Sequence, residues 1–151
     1  MTIAISRATA YDLDELVPLF LGYLDFYQRD AEPAAVREFL DARLRNNESV
    51  VFLAQLDGRA VGFTQLYPTF ASLSLKASWL LNDLFVAPEA RGHGAAEALM
   101  QAARGLAVDT NACEIFLQTA RDNTTAQRLY ERQGYLRDNE FFVYSLTLKS
   151  A

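Results

Sequence analysis

The amino-acid sequence predicts a single α/β domain over residues 1–151, a mixed sheet with helices on both faces. Three observations predict it. Short runs of β-branched and apolar residues dominate the first half, amphipathic runs of helical period alternate with strands in the second, and no repeat, low-complexity tract or Pro/Gly/Ser linker interrupts the chain. With 151 residues, 51% of them hydrophobic and 22% charged, the chain can bury a core without disulfides or metals, and wholesale disorder is excluded.

The elements follow in order. Ile3 to Arg7 alternate weakly and read as a short strand. Thr9 and Asp12 have capping-box spacing, and Leu13, Leu16, Val17, Phe20 and Leu24 behind them share one helical face, with Pro18 expected to bend the helix. A second helix starts at Pro33 and carries Val36, Phe39, Leu40 and Leu44 on its apolar face. Val50 to Leu56 and Ala60 to Tyr67 are the arms of a hairpin turned at Asp57-Gly58, with Pro68 as a stop. Thr69 to Lys76 read as a loop or hairpin end, and Trp79 to Val86 as the next strand. From Gly92 the pattern turns helical, with Ala96, Leu99, Met100, Ala103 and Leu106 on one face, which implies a right-handed crossover to a parallel strand at Glu114–Thr119. Thr124 to Gln133 form a short helix closed by Gly134, and Phe141 to Leu148 a last strand.

Composition narrows the function classes. The 14 Lys+Arg against 19 Asp+Glu give a net charge of −5, a poor match for a nucleic-acid partner, which needs a basic surface. One Cys and one His exclude an internal disulfide and a Cys/His zinc site, so no metal is expected. A lone Cys113 suits a reducing cytoplasm, and it reads as a small packing residue rather than a nucleophile. Neither a signal peptide nor a run of ~20 apolar residues is present, so no membrane partner is expected.

Two segments carry chemistry. In the first, a strand ending at Leu84-Phe85-Val86 runs through Arg91-Gly92-His93-Gly94 directly into a helix at Ala95-Ala96-Glu97. Glycines let the backbone turn sharply and approach a ligand closely, and the free N–H groups of a first helical turn, with the positive dipole end behind them, suit a pyrophosphate. The stretch is not a P-loop, because no Gly-Lys-Ser/Thr follows, nor a dinucleotide fingerprint, because Glu97 stands where the third glycine would fall. The same glycines would also serve a plain tight turn. In the second segment, Asn123 is placed as a helix N-cap ahead of Ala126, and Tyr130 lies farther along that helix.

Together these segments resemble the GNAT superfamily of acyl-CoA-dependent N-acetyltransferases. Arg91-Gly92-His93-Gly94-Ala95-Ala96 is similar to its R/Q-x-x-G-x-G/A signature; Asn123, Ala126, Leu129-Tyr130-Glu131 and Gly134-Tyr135 are similar to its second; Arg7 to Leu13 reads like its usual start. The resemblance covers nearly the whole chain. It implies a mostly antiparallel twisted sheet with a splayed parallel pair at the cofactor site. It implies acetyl-CoA as co-substrate, the pantetheine arm along Leu84, Phe85 and Val86, and the pyrophosphate on Arg91, Gly92, His93, Gly94, Ala95, Ala96 and Glu97. Asn123 and Ala126 would face the cofactor, and Tyr130 would be the acid that protonates the leaving thiolate. A phenol with a pKa near ~10 is still protonated at neutral pH, which suits that role.

The base is less direct. Trp79 to Val86 resembles the corresponding strand of spermidine/spermine N-acetyltransferases, where a Glu-Asp pair stands in place of Asn82-Asp83. Asn82 is an amide and cannot take a proton. Asp83 points opposite to Asn82 on a regular strand, and a bulge would re-aim it; it reads either as the base or as an internal hydrogen-bond anchor. The acceptor side is expected from Asp25, Tyr27, Tyr67 and Asn82, an aromatic and acidic set that suits a cationic amine. The expectation is therefore acetyl transfer to a primary amine of a small cation such as a polyamine or diamine. Acetylation of a protein Lys or N-terminus and a non-catalytic acyl-CoA sensor are the alternatives. The apolar alternation at Phe142, Tyr144, Leu146 and Leu148 fits a homodimer contact as well as an ordinary strand.

Overall fold

A computed structural model describes residues 2–149, with strands β1 (Ile3–Arg7), β2 (Val50–Leu56), β3 (Arg59–Ala71), β4 (Lys76–Val86) and β5 (Ile115–Phe116), and helices α1 (Leu13–Phe26), α2 (Pro33–Arg45), α3 (Ala95–Asp109) and α4 (Thr124–Arg132). The chain divides into two compact units, residues 1–118 and 119–151.

The first unit holds one five-stranded sheet in the order β1-β2-β3-β4-β5, antiparallel except for the parallel β4–β5 pair. Alternation sorts the side chains onto its two faces. Phe63 and Phe85 pack with Leu16, Leu40, Val51 and Leu53 under α1 and α2, while Ala54 and Val61 pack with Ala95 and Leu99 of α3, joined by the half-buried Leu84 and Val86. The capping box forms as expected: the Thr9 hydroxyl accepts from Tyr11 N–H at 3.2 Å and Thr9 N–H donates to Asp12 Oδ2 at 2.8 Å. Pro18 lies inside α1 on its exposed side, where the carbonyl that loses a partner meets water.

Four expectations for the first unit need correction. Pro68 does not stop β3, which runs on to Ala71, and β4 already begins at Lys76, so the expected loop is mostly hairpin. Beyond Leu66 the strand has only β4 beside it, and a proline is tolerated where no second ladder needs its N–H. The strand expected over Glu114–Thr119 shrinks to Ile115–Phe116. Cys113 beside it is exposed rather than packed.

The second unit, described by itself, holds α4. Asn123 Oδ1 caps it by accepting from Ala126 N–H at 3.2 Å, and Gly134, at φ 93°, ends it. The strand expected over Phe141–Leu148 is not formed; 141–149 has no regular structure, and Phe142, Tyr144, Leu146 and Leu148 are exposed. An alternating apolar run becomes a strand only against a neighbouring edge, and the described residues of this unit contain no strand to supply one.

Candidate active site

The turn after β4 has the geometry an anion needs. Gly92 (φ 85°) and Gly94 (φ 84°) both occupy the left-handed region that favours glycine. Gly94 is the N-cap of α3 and gives that helix no side-chain cap. A Cβ added to either glycine would meet nothing within 4 Å, so the approach to the turn's amides is open. Arg91 folds back on the turn: its Nε donates to the Val86 carbonyl oxygen at 3.0 Å, and its guanidinium lies 6.0 Å from the centre of the Phe85 ring. His93 is exposed, Ala95 is buried under the helix, and Ala96 and Glu97 continue the first turn.

The strand leading into that turn is half free. Parallel pairing with β5 covers only Trp79 and Leu80, opposite Ile115 and Phe116, so the β4 edge from Leu81 to Val86 has no strand partner on that side. This is a splayed pair, and it leaves backbone donors and acceptors for an extended ligand arm. Leu84 and Val86 turn toward α3, whereas the Phe85 side chain is buried between β3 and α1. Phe85 therefore offers a ligand its backbone alone. Two glycines allow the packing around it. A Cβ at Gly62 would lie 2.8 Å from the Phe85 carbonyl oxygen, and one at Gly22 would lie 3.0 Å from the ring.

A bulge shapes the middle of β4. Gln65 stands opposite Asp83, yet the next residue, Leu66, stands opposite Leu81, so Asn82 is the extra residue. Asn82 is exposed, while Asp83 is buried at 3% exposure on the α1–α2 side, with Phe63, Gln65 and Phe85. Asp83 Oδ2 accepts from Gln65 Nε2 at 2.7 Å and Oδ1 from Asn82 Nδ2 at 3.0 Å, and the Asp83 backbone carbonyl accepts from Thr64 Oγ1 at 2.8 Å. The Tyr23 hydroxyl of α1 sits between the carboxylate and the Asn82 carbonyl oxygen, 3.5 Å from the latter.

The electrostatics follow from burial. Loss of water around Asp83 raises its carboxyl above the usual range, and the hydrogen bonds from Gln65, Tyr23 and Asn82 only partly offset that. Burial, and then the Asp83 charge, push Tyr67 up to about 12 and Tyr23 higher still, so both phenols stay protonated across the neutral range. Around this carboxylate lies an aromatic wall: Tyr23 meets Phe63 (ring centres 5.8 Å apart) and Tyr27 (5.1 Å) edge-on.

Thus Asp83, Asn82, Tyr67 and Tyr27 come together through Tyr23, whereas Asp25 is simply exposed on α1. In the second unit, Asn123 and Ala126 bond each other, and the Tyr130 ring lies 6.2 Å from that of Tyr135. Gln65 escaped sequence reasoning. Its signal was present: a polar residue within the apolar run Val61–Leu66 must be buried and must find a partner.

Comparison with known proteins shows the family. The acetyltransferase (GNAT) family profile matches residues 14–135, and the chain belongs to that family. The chain is 43% identical over 144 residues to an uncharacterized N-acetyltransferase, YhfO, of Bacillus subtilis, covering 95% of this chain and 97% of that one. The crystal structure of a probable acetyltransferase matches with a TM-score of 0.92 and 45% identity, over 98% of this chain and 99% of that one. An aminoglycoside N-acetyltransferase in complex with CoA shares the fold at 19% identity (TM-score 0.81, 97% and 96% covered). The protein is thus a GNAT acetyltransferase, and enzymes of this fold use acetyl-CoA.

Proposed function

We propose that this enzyme transfers the acetyl group of acetyl-CoA to a primary amine of a small cationic molecule, with polyamines and diamines first among the acceptors. The observation that carries this reading is the buried carboxylate of Asp83, set beside an aromatic wall and the free edge of β4. An ammonium ion is attracted both by a carboxylate and by aromatic faces. The spermidine/spermine resemblance of Trp79 to Val86 supports the polyamine choice, and Asn82 in place of a carboxylate passes the role of base to Asp83.

The turn Arg91 to Glu97 holds the pyrophosphate through backbone amides. The free edge at Leu84, Phe85 and Val86 takes the pantetheine arm, and Asn123 and Ala126 belong to the cofactor side. Acetyl-CoA supplies an activated acetyl group. An alkylamine, pKa ~10.4, must shed a proton before its nitrogen can attack. A carboxylate raised by burial is a better base than an ordinary one, and Asp83 accepts that first proton from the ammonium; the neutral nitrogen then attacks, the N–C bond forms as the C–S bond breaks, and the second nitrogen proton passes through water to the phenolate that Tyr130 becomes on protonating the sulfur. Tyr130 gives its phenolic proton to the departing sulfur. Tyr67, Tyr27 and Asn82 line the acceptor side. The setting is the cytoplasm, and the exposed apolar side chains of 141–149 favour a homodimer.

The test is chromatographic measurement of CoA release from acetyl-CoA with spermidine, spermine, putrescine, amino acids, an aminoglycoside and a Lys peptide. Release confined to the polyamines and putrescine is expected. Release with the Lys peptide alone would replace the acceptor class by protein. Tyr130→Phe should lose turnover while still binding acetyl-CoA, and an unchanged rate would remove Tyr130 from the chemistry.

A further inference from the structure

We infer that Gln65 is a positioning residue whose buried amide reverses when Asp83 changes protonation state, so that the carboxyl keeps a partner before and after it takes a proton. Gln65 is wholly buried, and its Nε2 donates to Asp83 Oδ2 at 2.7 Å. Its Oε1 is equally buried and has no hydrogen-bond partner. Native interiors rarely leave such an acceptor unsatisfied, and each case calls for an explanation. The explanation lies in what the neighbouring carboxyl must do.

An ionised carboxylate only accepts, whereas a protonated one must also donate. With Asp83 ionised, Nε2 is the right group to face it, and Oε1 is left over. Once Oδ2 carries a proton, its O–H needs an acceptor and Nε2 is the wrong group. Rotation by half a turn about the last side-chain bond exchanges the two ends of a planar amide of nearly constant shape, and that torsion is broad and two-fold. Oε1 then accepts from the Asp83 O–H, and Nε2 becomes the group left over. Each state leaves one orphan, so neither end is fixed in advance. A fixed donor such as a lysine would instead lock the carboxylate ionised.

Of the groups around Asp83, Gln65 is the wholly buried one whose acceptor is unused. Thr64 Oγ1 is committed to the Asp83 backbone carbonyl, and the amide of Asn82 is exposed and can turn to water. The titratable groups facing Asp83 are Tyr23, with Tyr27 beside it, from α1, and Tyr67 from β3, with Arg43 of α2 acting on Tyr67. The phenols of Tyr23 and Tyr67 stay protonated through the neutral range, so the proton that comes and goes is that of Asp83.

The inference rests on the base reading of Asp83 only for its catalytic consequence, and the primary test needs no turnover. Nuclear magnetic resonance of the ligand-free protein, labelled in its Gln and Asp side chains, is followed across the Asp83 titration. Above the midpoint, the Gln65 Nε2 protons should show contacts to the Asp83 Hβ protons and one strongly shifted resonance. Below it, both signs should vanish with the same midpoint. Contacts that persist at both ends would overturn the inference and leave Gln65 a fixed donor. In Gln65→Met, which offers neither donor nor acceptor, the ionised state loses the stronger bond, so the rising limb of kcat/KM should move up by about one pH unit. An unmoved limb in the folded variant would likewise overturn it. Should Asp83→Asn retain turnover, the base reading falls, and the resonance test still decides on Gln65.

Discussion

Two places, one within β4 and one just after it, offer a ligand opposite things. The turn from Arg91 to Glu97 works through its backbone: two left-handed glycines, no side-chain cap on α3, and open space where a Cβ would stand. The bulge at Asn82-Asp83 works through side chains, and there Gln65, Tyr23 and Asn82 hold one buried carboxylate. A pyrophosphate spreads its charge over several oxygens and is met by several amides without any one side chain. A proton in transit needs a single group of tuned basicity, which only a side chain in a chosen environment supplies. The turn should therefore tolerate changes of side chain and fail when one is added, and the bulge should do the reverse.

The largest effect expected is at the bulge. Asp83→Asn keeps the shape and removes the proposed base, and kcat should fall by ~10²–10⁴-fold, the usual worth of a positioned general base. The same variant carries a pH signature in stability. The folded pKa of Asp83 lies above the ordinary carboxylate value, so above that value the native state binds more protons than the unfolded chain. Stability contributed by Asp83 therefore falls as pH rises from the unfolded pKa through the folded one, and above both the burial cost is fully present. Asp83→Asn should unfold about 2–4 °C higher than the parent at pH 8 and lose that advantage at acid pH, which calorimetry at the two pH values would show.

Next in size is the turn. Gly94→Asp places a carboxylate over the amides of α3 and strains a φ of 84°. Acetyl-CoA affinity measured by isothermal titration should weaken by roughly 10–100-fold, because the new side chain both fills the donors and repels phosphate. Unweakened binding would place the pyrophosphate elsewhere. Asn123→Ala makes the complementary change, taking the cap off α4; it should cost about 1 kcal/mol in denaturant unfolding of the second unit. The smallest effect belongs to His93→Ala, which removes an exposed side chain from the turn and should leave acetyl-CoA affinity within about 2-fold. A large loss there would mean that the turn uses a side chain after all.

Local sequence signals were the most legible. Thr9 and Asp12 announced a capping box, Asp57-Gly58 a hairpin, Pro33 a helix start and Gly92-Gly94 a tight turn, and each formed, because each depends on atoms within a few residues. Signals that depend on a distant partner were less reliable. The run Phe141–Leu148 alternates like a strand but has no strand among the described residues of its own unit to pair with, and Pro68 looked like a stop until β3 proved to have a single neighbour there.

The sequence by itself determined the class of this protein: the α/β order, the uncapped glycine turn into α3, and the family those residues mark. Only the tertiary structure decided which way Asp83 faces. Strand alternation is a local rule, but a bulge is a property of the pairing between two strands, and the offset between Gln65–Asp83 and Leu66–Leu81 is written in neither strand alone. The same pairing buries Gln65 against the carboxylate, and burial is what raises the carboxyl of an otherwise ordinary aspartate.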